Sequence, residues 1–562
     1  MRASLASATS LLALLLLEGR SAQSATITAV TTLSFGDVLV DPSAPVPKTA
    51  SSKATISGTN ANGSTVTFAA ATGVFGPAAP STILPNSSTY TTTYAYTFTP
   101  VTTGSVSDKL VFSDTYKTAK GSATSTRAVT LVGTGVAPIA TIVPTSSSFG
   151  YALVGQSSSA QSIAVENVGN GYLASKSTTT AGVVLNNLNG SISGGDSVFV
   201  GTAATFSLAD SHNTTGAATS ATYNYTFKPT ATGAASTTVV TSFSNGAAST
   251  NSATTLATTF TGTGVAPIQS VSSFPSGFVQ RVGTSATSGV TVSNVGNGNL
   301  ASAVVSNGVT LNNLNASITG TLGAGFTPAA GTPSSISLGD SHGGGSSSIA
   351  LGYTFAPTAR GTSSLTADIA FSNGSSDGRN LSQSVQATVT GTGVAPVYTS
   401  SIRGASATNT PTAVANGATG TASSTIAFGS LGRNASQTIY LALENTTTDQ
   451  NGGNASLTNL TLDKFSIAGT NASSFSVSSL TNGTVITQGG ALLVPITVVS
   501  GSTLGMLNSS LTIFTDQSVA LGGAGDTFTY ALTATVVPEP TSLAVIGVGL
   551  AGLASMRRRK RS

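Results

Sequence analysis

The hexapeptide Gly-Thr-Gly-Val-Ala-Pro occurs three times, at residues 133–138, 262–267 and 391–396. Successive copies are separated by 129 residues in both cases. A fixed interval of this kind indicates a duplicated structural unit. A chain of 562 residues is also too long to form one hydrophobic core. We therefore expect a series of tandem domains.

Each of the first three units contains a strand pattern that ends at a proline. Apolar residues occupy every second position, which places one face of a strand against a core, and the proline then ends the pairing. These residues are Tyr94, Tyr96 and Phe98 before Pro100, then Tyr223, Tyr225 and Phe227 before Pro229, and Leu351, Tyr353 and Phe355 before Pro357. Many such short strands separated by turns predict β-sandwiches.

The beginning of the units repeats as well. Phe149-Gly150 leads to a strand that ends at Asn167, and comparable strands end at Asn294 and, in a divergent fourth unit, at Asn445. With the Phe-x-Pro and Gly-Thr-Gly segments, this order of motifs resembles the choice-of-anchor D family. The resemblance implies immunoglobulin-like sandwiches related to ASPM/SPD-2/Hydin modules of bacterial surface proteins. It concerns strand and turn residues, so it implies a fold and supplies no catalytic residues.

The predicted fold class is all-β, with tandem immunoglobulin-like β-sandwich domains, an N-terminal signal helix and a short C-terminal hydrophobic helix. The predicted segments are a signal peptide at 1–24, sandwiches at 25–138, 139–267, 268–396 and 424–536, a flexible linker at 397–423, and a sorting signal at 537–562.

The N-terminus has the three parts of a secretory signal peptide. Arg2 is followed by an apolar run at 11–17 and then by small residues around Ala22 and Ser24. This order predicts export and cleavage close to Ser24. The apolar run is too short for a permanent membrane span.

The C-terminus combines a Pro-Glu-Pro motif, an apolar helix predicted from about Thr541 to Met556, and a basic cluster. Sixteen helical residues rise only ~24 Å, which is less than a hydrocarbon core of ~30 Å. The cluster keeps its own end of the helix cytoplasmic, so the preceding chain lies outside. Its members are Arg557, Arg558, Arg559, Lys560 and Arg561.

This arrangement resembles the PEP-CTERM sorting signal, with the motif at Pro538, Glu539 and Pro540. The resemblance implies recognition and cutting by exosortase, a membrane-embedded transpeptidase, in an exopolysaccharide-producing Gram-negative bacterium. The implied course is transient anchoring in the inner membrane, then attachment at the cell surface or release.

The formal charge of +4 comes from the two ends of the chain. Seven of the 21 basic residues lie in the terminal segments, and the remaining body has 14 basic and 16 acidic residues. Nucleic acid is therefore not expected as a partner. The sequence contains no cysteine, which excludes disulfides and thiolate chemistry.

Two segments, Asp210-Ser211-His212 and Asp340-Ser341-His342, contain the residue types of a hydrolytic triad. Triad residues converge from separate segments, whereas adjacent residues in a loop point in different directions. We therefore predict local turns, no catalytic site and no cofactor. No calcium-loop motif is present, although calcium bound at a domain junction stays open as an alternative.

The leading hypothesis is an exported, non-enzymatic structural or adhesive protein of the cell surface or biofilm matrix. The alternative is a surface module that binds carbohydrate or protein. Its candidate partners are exopolysaccharide and other surface proteins. Exposed aromatic side chains would be expected in such a binder, but Tyr94, Tyr96, Tyr223 and Tyr225 follow the core pattern.

Overall fold

The computed structural model describes residues 26–28, 31–40, 50–59, 65–68, 73–76, 89–118, 120–174, 179–180, 182–414, 424–517, 527–539 and 542–559. These residues form two compact units. One extends to Ala266 and includes Leu300–Ser302, and the other comprises the chain from Pro267 onward without those three residues. Each unit contains two β-sandwiches, which we number along the chain. The architecture is the predicted all-β series of β-sandwiches.

The first sandwich, in the first unit, pairs a sheet of order β1-β3-β6-β5 with one of order β2-β8-β7-β4. Its core includes Phe35, Phe75 and Phe98, whose rings contact one another. The strands are β1 Thr26–Thr28, β2 Thr32–Leu39, β3 Ala50–Thr59, β4 Thr65–Phe68, β5 Phe75–Gly76, β6 Thr89–Phe98, β7 Gly104–Thr118 and β8 Gly121–Val136.

The second sandwich repeats this topology, with sheets of order β9-β11-β17-β15 and β10-β19-β18-β14-β16. Tyr225 and Phe227 are fully buried, as their alternating pattern predicts. The elements are β9 Ala140–Val143, β10 Ser146–Leu153, β11 Gln161–Asn167, 3₁₀ helix Gly171–Leu173, β12 Thr179–Thr180, β13 Val183–Val184, β14 Leu188–Ile192, β15 Phe199–Gly201, β16 Ala204–Leu208, β17 Ser220–Phe227, β18 Gly233–Phe243 and β19 Thr254–Val265.

The third sandwich, in the second unit, has the same arrangement, with sheets of order β20-β22-β28-β26 and β21-β30-β29-β25-β27. The elements are β20 Gln269–Val271, β21 Phe278–Arg281, β22 Ala286–Asn294, 3₁₀ helix Gly298–Leu300, β23 Val305–Ser306, β24 Val309–Thr310, β25 Leu314–Leu322, β26 Phe326–Pro328, β27 Ser335–Leu338, β28 Ser348–Phe355, β29 Gly361–Phe371 and β30 Gln383–Val394.

The fourth sandwich has sheets of order β32-β31-β34-β38-β36 and β33-β40-β39-β35-β37. The elements are β31 Tyr398–Ile402, β32 Thr412–Val414, β33 Ser424–Leu431, β34 Ser436–Asn445, 3₁₀ helix Ala455–Leu457, β35 Leu460–Ala468, 3₁₀ helix Ala472–Ser474, β36 Phe475–Val477, β37 Thr484–Ile486, β38 Ala491–Val499, β39 Gly505–Thr515 and β40 Thr527–Val536. Helix α1, Ser542–Arg559, follows.

The structure differs from the flexible linker expected at 397–423. Tyr398–Ile402 is a strand that pairs with β34, and Thr412–Val414 pairs with it in turn. The Tyr398 side chain is 1% exposed, stacks on Phe528 and hydrogen-bonds through its hydroxyl to Tyr530. The last part of this stretch, residues 415–423, lies outside the described residues. The expectation of a linker was wrong because the buried Tyr398 side chain fixes this strand to the core, although the sequence around it is polar.

The repeated hexapeptide is mainly strand. Its Gly-Thr-Gly-Val part forms the end of β8, β19 and β30, and only Ala-Pro belongs to the connection. A Cβ atom at Gly135 would lie 2.2 Å from the carbonyl oxygen of Thr102, and Gly264 and Gly393 meet equivalent oxygens. Glycine is therefore needed because the loop after each Phe-x-Pro segment crosses the strand closely.

The two sandwiches of the first unit meet through uncharged groups. Thr103 donates its backbone N–H to the Ser249 carbonyl oxygen at 2.9 Å and its hydroxyl to the Ala248 carbonyl oxygen at 3.0 Å. The buried Asn251 amide donates to the Val40 carbonyl oxygen. We call this set of contacts the first junction.

The two sandwiches of the second unit meet through two arginine–aspartate pairs, which we call the second junction. Arg281 Nη2 lies 3.0 Å from Asp516 Oδ2, and the same guanidinium donates to several carbonyl oxygens, including that of Asn459 at 2.8 Å. Arg360 donates from Nε and Nη2 to the two carboxylate oxygens of Asp449. The Ala395 N–H also donates to Asp449, at 2.9 Å.

Candidate functional site

The predicted sorting motif begins directly after the last strand of the fourth sandwich. Strand β40 lies between β33 and β39 and ends at Val536. The Val537 N–H then donates to the Leu431 carbonyl oxygen at 2.8 Å. Pro538 has no N–H to continue this ladder, so the chain leaves the sheet there.

Both described residues of the motif are accessible. Pro538 and Glu539 are exposed, and Pro540 lies outside the described residues. The Glu539 side chain extends past Gly432, since a Cβ atom built at Gly432 would lie 3.8 Å from Glu539 Cγ. The motif is thus presented at the end of a folded sandwich with almost no intervening chain.

Helix α1 presents large apolar side chains to the outside. Val548, Leu550, Leu553 and Met556 are 62–74% exposed. A Cβ atom at Gly549 or Gly552 would meet no atom within 4 Å. Such an apolar surface calls for a covering environment. In the part of the chain that the structure describes, no helix is both long enough and apolar enough to cross a membrane.

The basic cluster occupies the end of α1 and the residues beyond it. Arg557 is exposed, and Arg558 and Arg559 complete the last helical turn. Lys560 and Arg561 lie outside the described residues, as do the predicted cleavage residues Ala22 and Ser24. The helix extends three residues past the predicted end at Met556, because arginine is a good helix former.

The two Asp-Ser-His segments are turns held by a buried carboxylate. Asp210 Oδ2 accepts from the Tyr172 N–H and Oδ1 from the His212 N–H, each at 2.8 Å. Asp340 accepts from the N–H groups of Asn299 and His342 at the same distances. Both carboxylates are therefore occupied in fixing the loop that follows each Asn-ending strand, an arrangement typical of Asx turns.

The asparagine that ends β11, β22 and β34 is also structural. Asn167 Oδ1 accepts from the N–H groups of Ile139 and Gly169 at 3.1 Å, and Nδ2 donates to the Leu208 carbonyl oxygen at 3.0 Å. Asn294 and Asn445 make equivalent bonds, with the Leu338 and Ile486 carbonyl oxygens in the place of that of Leu208. This explains why the residue recurs, since a buried amide satisfies three backbone groups at once.

Two features were not predicted from the sequence: the two arginine–aspartate pairs of the second junction and the exposure of Tyr151. At the register of Arg281, which pairs with Val394, the other sandwiches place Leu39, Leu153 and Leu431. An alignment of the repeats by this register would have revealed the arginine as the exception. Tyr151, in β10, is 51% exposed.

The electrostatics of the Arg360–Asp449 pair favour its charged state. Burial raises the pKa of Asp449, but hydrogen bonds from Arg360 and the Ala395 N–H outweigh it, so the pKa falls below its ordinary value of 3.8. The Asp449 hydrogen bond raises the pKa of Arg360. Among the described residues there is no group of three or more histidine or acidic side chains that could hold a metal ion.

The chain matches one described protein family, the PEP-CTERM protein-sorting motif, over residues 536–560. This match covers Pro538, Glu539 and Pro540, helix α1 and most of the basic cluster. A search of the curated proteins finds no match.

Several solved structures resemble the fold. The human desmocollin-1 ectodomain is 9% identical, with 89% of this chain and 79% of that chain covered and a TM-score of 0.21. The C-terminal domain of the Streptococcus agalactiae AgI/II polypeptide BspA is 10% identical, with 48% and 100% covered and a TM-score of 0.22. Scores this low carry no argument about function.

Proposed function

We propose that this chain is an exported, non-enzymatic structural or adhesive protein of the cell surface or extracellular matrix, delivered through its C-terminal sorting signal. The observation that carries the proposal is the match of residues 536–560 to the PEP-CTERM protein-sorting motif. The exposed position of Pro538 and Glu539 beyond the last strand supports it, since a processing enzyme needs access to the motif.

The proposed route begins with the signal peptide at 1–24 and continues with a transient hold in the inner membrane of a Gram-negative bacterium. Helix α1 provides this hold with its apolar side chains, and the basic cluster from Arg557 to Arg561 keeps that end cytoplasmic. An exosortase-type transpeptidase then cuts close to Pro540. The protein remains at the surface or is released.

The body delivered in this way consists of four sandwich domains at 25–138, 139–267, 268–396 and a divergent fourth ending at 536. We propose the choice-of-anchor D family as the origin of these repeats. The common sheet order of the four sandwiches supports a shared ancestry. Their surfaces are rich in hydroxyl groups and poor in charge, which suits a hydrated polysaccharide matrix with exopolysaccharide or other surface proteins as neighbours.

The sorting step is tested by Glu539→Ala in the native host. We expect the variant to accumulate uncut in the inner-membrane fraction while the wild-type chain reaches the surface. Asp463→Ala is the matched control, because Asp463 is also an exposed carboxylate on the fourth sandwich. Processing of the Glu539 variant at the wild-type rate would contradict the proposal.

The second candidate function is a carbohydrate- or protein-binding surface module. One observation favours it: an aromatic side chain, Tyr151, is exposed on an uncharged face of the second sandwich.

A further inference from the structure

Tyr151 is the only exposed aromatic residue among those whose burial the structure describes. Tyr96, Tyr225, Tyr353, Tyr398 and Tyr530 are buried in the sandwich cores. A large ring left in water has no part in the core, and an exposed aromatic side chain is a common anchor for a partner.

A β-bulge explains how Tyr151 comes to face outward. The pairing of β10 with β19 shifts between Ser148 and Tyr151, and Gly150 at the shift has a φ of 67°. Gly150 and Tyr151 are consequently both exposed, whereas Phe149 and Ala152 on either side are buried. Bulges redirect a side chain in this way and often do so at functional sites.

Tyr151 borders a shallow groove of about 490 Å³ that crosses three strands of its sheet. One row across the groove is formed by Tyr151, Thr263 and Ala234, which pair in register. The neighbouring row carries three hydroxyl groups, on Ser148, Thr261 and Ser236. All residues that line the groove are uncharged, and those beside the half-exposed tyrosine are glycine, alanine, serine and threonine.

The exposed tyrosine and the neighbouring row of hydroxyl groups match the chemistry of a sugar ring. A pyranose has an apolar face of C–H groups that can lie on an aromatic ring, and an edge of hydroxyl groups. Serine and threonine hydroxyls both donate and accept hydrogen bonds, as sugar hydroxyls do. A groove without charges offers no counter-ion to a polyanion, so the complementary ligand is neutral.

The other sandwiches lack this feature at the same register. The residue after the bulge is Asp37 in the first sandwich and Ser430 in the fourth, paired with Thr134 and Thr535. The corresponding strand of the third sandwich, β21, pairs without a shift. The tyrosine is therefore a specific addition to the second sandwich, and the serine of the fourth shows that the fold accepts a small side chain there.

We propose that the groove beside Tyr151 binds a neutral polysaccharide chain, with one sugar ring stacked on the tyrosine and its hydroxyl groups bonded to the serine and threonine row. This goes beyond the proposed export and sorting, which do not depend on it.

The test compares the full exported chain with Tyr151→Ser in native gels that contain a neutral polysaccharide. Three probes cover different linkages: dextran, hydroxyethyl cellulose and galactomannan. Tyr151→Ser introduces the residue that the fourth sandwich carries at this register. The matched control is Val200→Ser, which removes a side chain of similar exposure, 45%, from the other sheet of the same sandwich.

We expect at least one probe to retard the wild-type chain and the Val200 variant, and Tyr151→Ser to bind it about fivefold more weakly or worse. Far-ultraviolet circular dichroism and the melting temperature establish that the variants are folded. No retardation of the wild-type chain by any of the three probes would overturn the proposal, as would equal retardation of Tyr151→Ser. In a parallel gel with the polyanion alginate, retardation by alginate alone would also overturn it.

Discussion

The two junctions share one position of the repeat but use different chemistry there. Strands β7 of the first sandwich and β29 of the third occupy the same place in the repeat, and each begins with a glycine. The residue before that glycine is Thr103 in the first sandwich and Arg360 in the third. Thr103 makes two hydrogen bonds to backbone carbonyl groups, whereas Arg360 forms a two-bonded ion pair with Asp449. A repeated fold thus keeps its cores alike and sets the strength of each junction by single surface substitutions.

The comparison predicts that the second junction is stronger and depends on charge. Arg281 is 17% exposed and its partner Asp516 31%, and Asp449 is 16% exposed and its partner Arg360 32%. Each pair is therefore partly shielded from water, unlike a fully exposed surface salt bridge. The contacts named at the first junction involve only neutral groups. The following substitutions test this difference.

Arg281→Leu should have the largest effect. Leucine is the residue of the other three sandwiches at this register, so the strand itself is preserved. The loss removes the guanidinium from Asp516, which keeps only the Thr461 N–H as donor, and from several carbonyl groups, and should cost about 2–3 kcal/mol of unfolding free energy in the second unit. Calorimetry of the full chain measures it. Arg433→Leu, at an exposed arginine of the fourth sandwich, is the control and should change little; equal effects of the two variants would remove the distinction between the junctions.

Asp449→Asn should come next, at about 2 kcal/mol near pH 7. Because the pKa of Asp449 lies below 3.8 in the folded chain, its stabilisation is present above that ordinary value and is lost as the pH falls through the lower, folded pKa. The melting temperature of the wild-type chain should therefore drop on acidification more steeply than that of the variant. Parallel curves for the two chains between about pH 5 and pH 2 would show that this carboxylate does not contribute.

At the first junction, Asn251→Ala should cost about 1 kcal/mol, because it leaves the Val40 carbonyl oxygen without its buried donor. No titratable group is removed, so the effect should be the same at neutral and acid pH. The measurement is the hydrogen-exchange rate of the backbone amides next to the Val40 and Val136 pair. The rates are compared at the two pH values after correction for the intrinsic rate. An effect that changes with pH would mean that charge also acts at this junction.

The smallest change is expected for Thr103→Val, at about 0.5 kcal/mol. It removes the hydroxyl bond to Ala248 and leaves the backbone bond to Ser249 in place. Thermal unfolding of the full chain with Thr232→Val as the control measures it, since Thr232 is the corresponding residue of the second sandwich. A loss of unfolding free energy as large as that of Arg281→Leu would contradict the predicted difference between the two junctions.

The alternating pattern and the repeat were enough to predict the fold. Tyr225 and Phe227 are buried where alternation places them, and the recurring Asn167 and Asn294 hold equivalent loops. These features could be predicted because the alternation and the recurring residues are visible along the chain itself.

The features that escaped prediction depend on partners distant in sequence. Tyr398 is fixed by Phe528 and Tyr530, and Arg281 by Asp516, so neither local pattern nor composition reveals them. Tyr151 faces outward because a bulge interrupts the alternation, which a strict two-residue period cannot show. Pro538 and Glu539 were identified by motif alone, and their exposure at the end of β40 is structural information.

The most direct test of the proposed sorting is the intact mass of the surface-exposed protein isolated from its native host. Removal of the signal peptide predicts a mature chain that begins close to residue 25. Cleavage near the motif predicts that this chain lacks the residues after about Pro540. A surface-exposed form that still contains Arg557–Arg561 would contradict the sorting function.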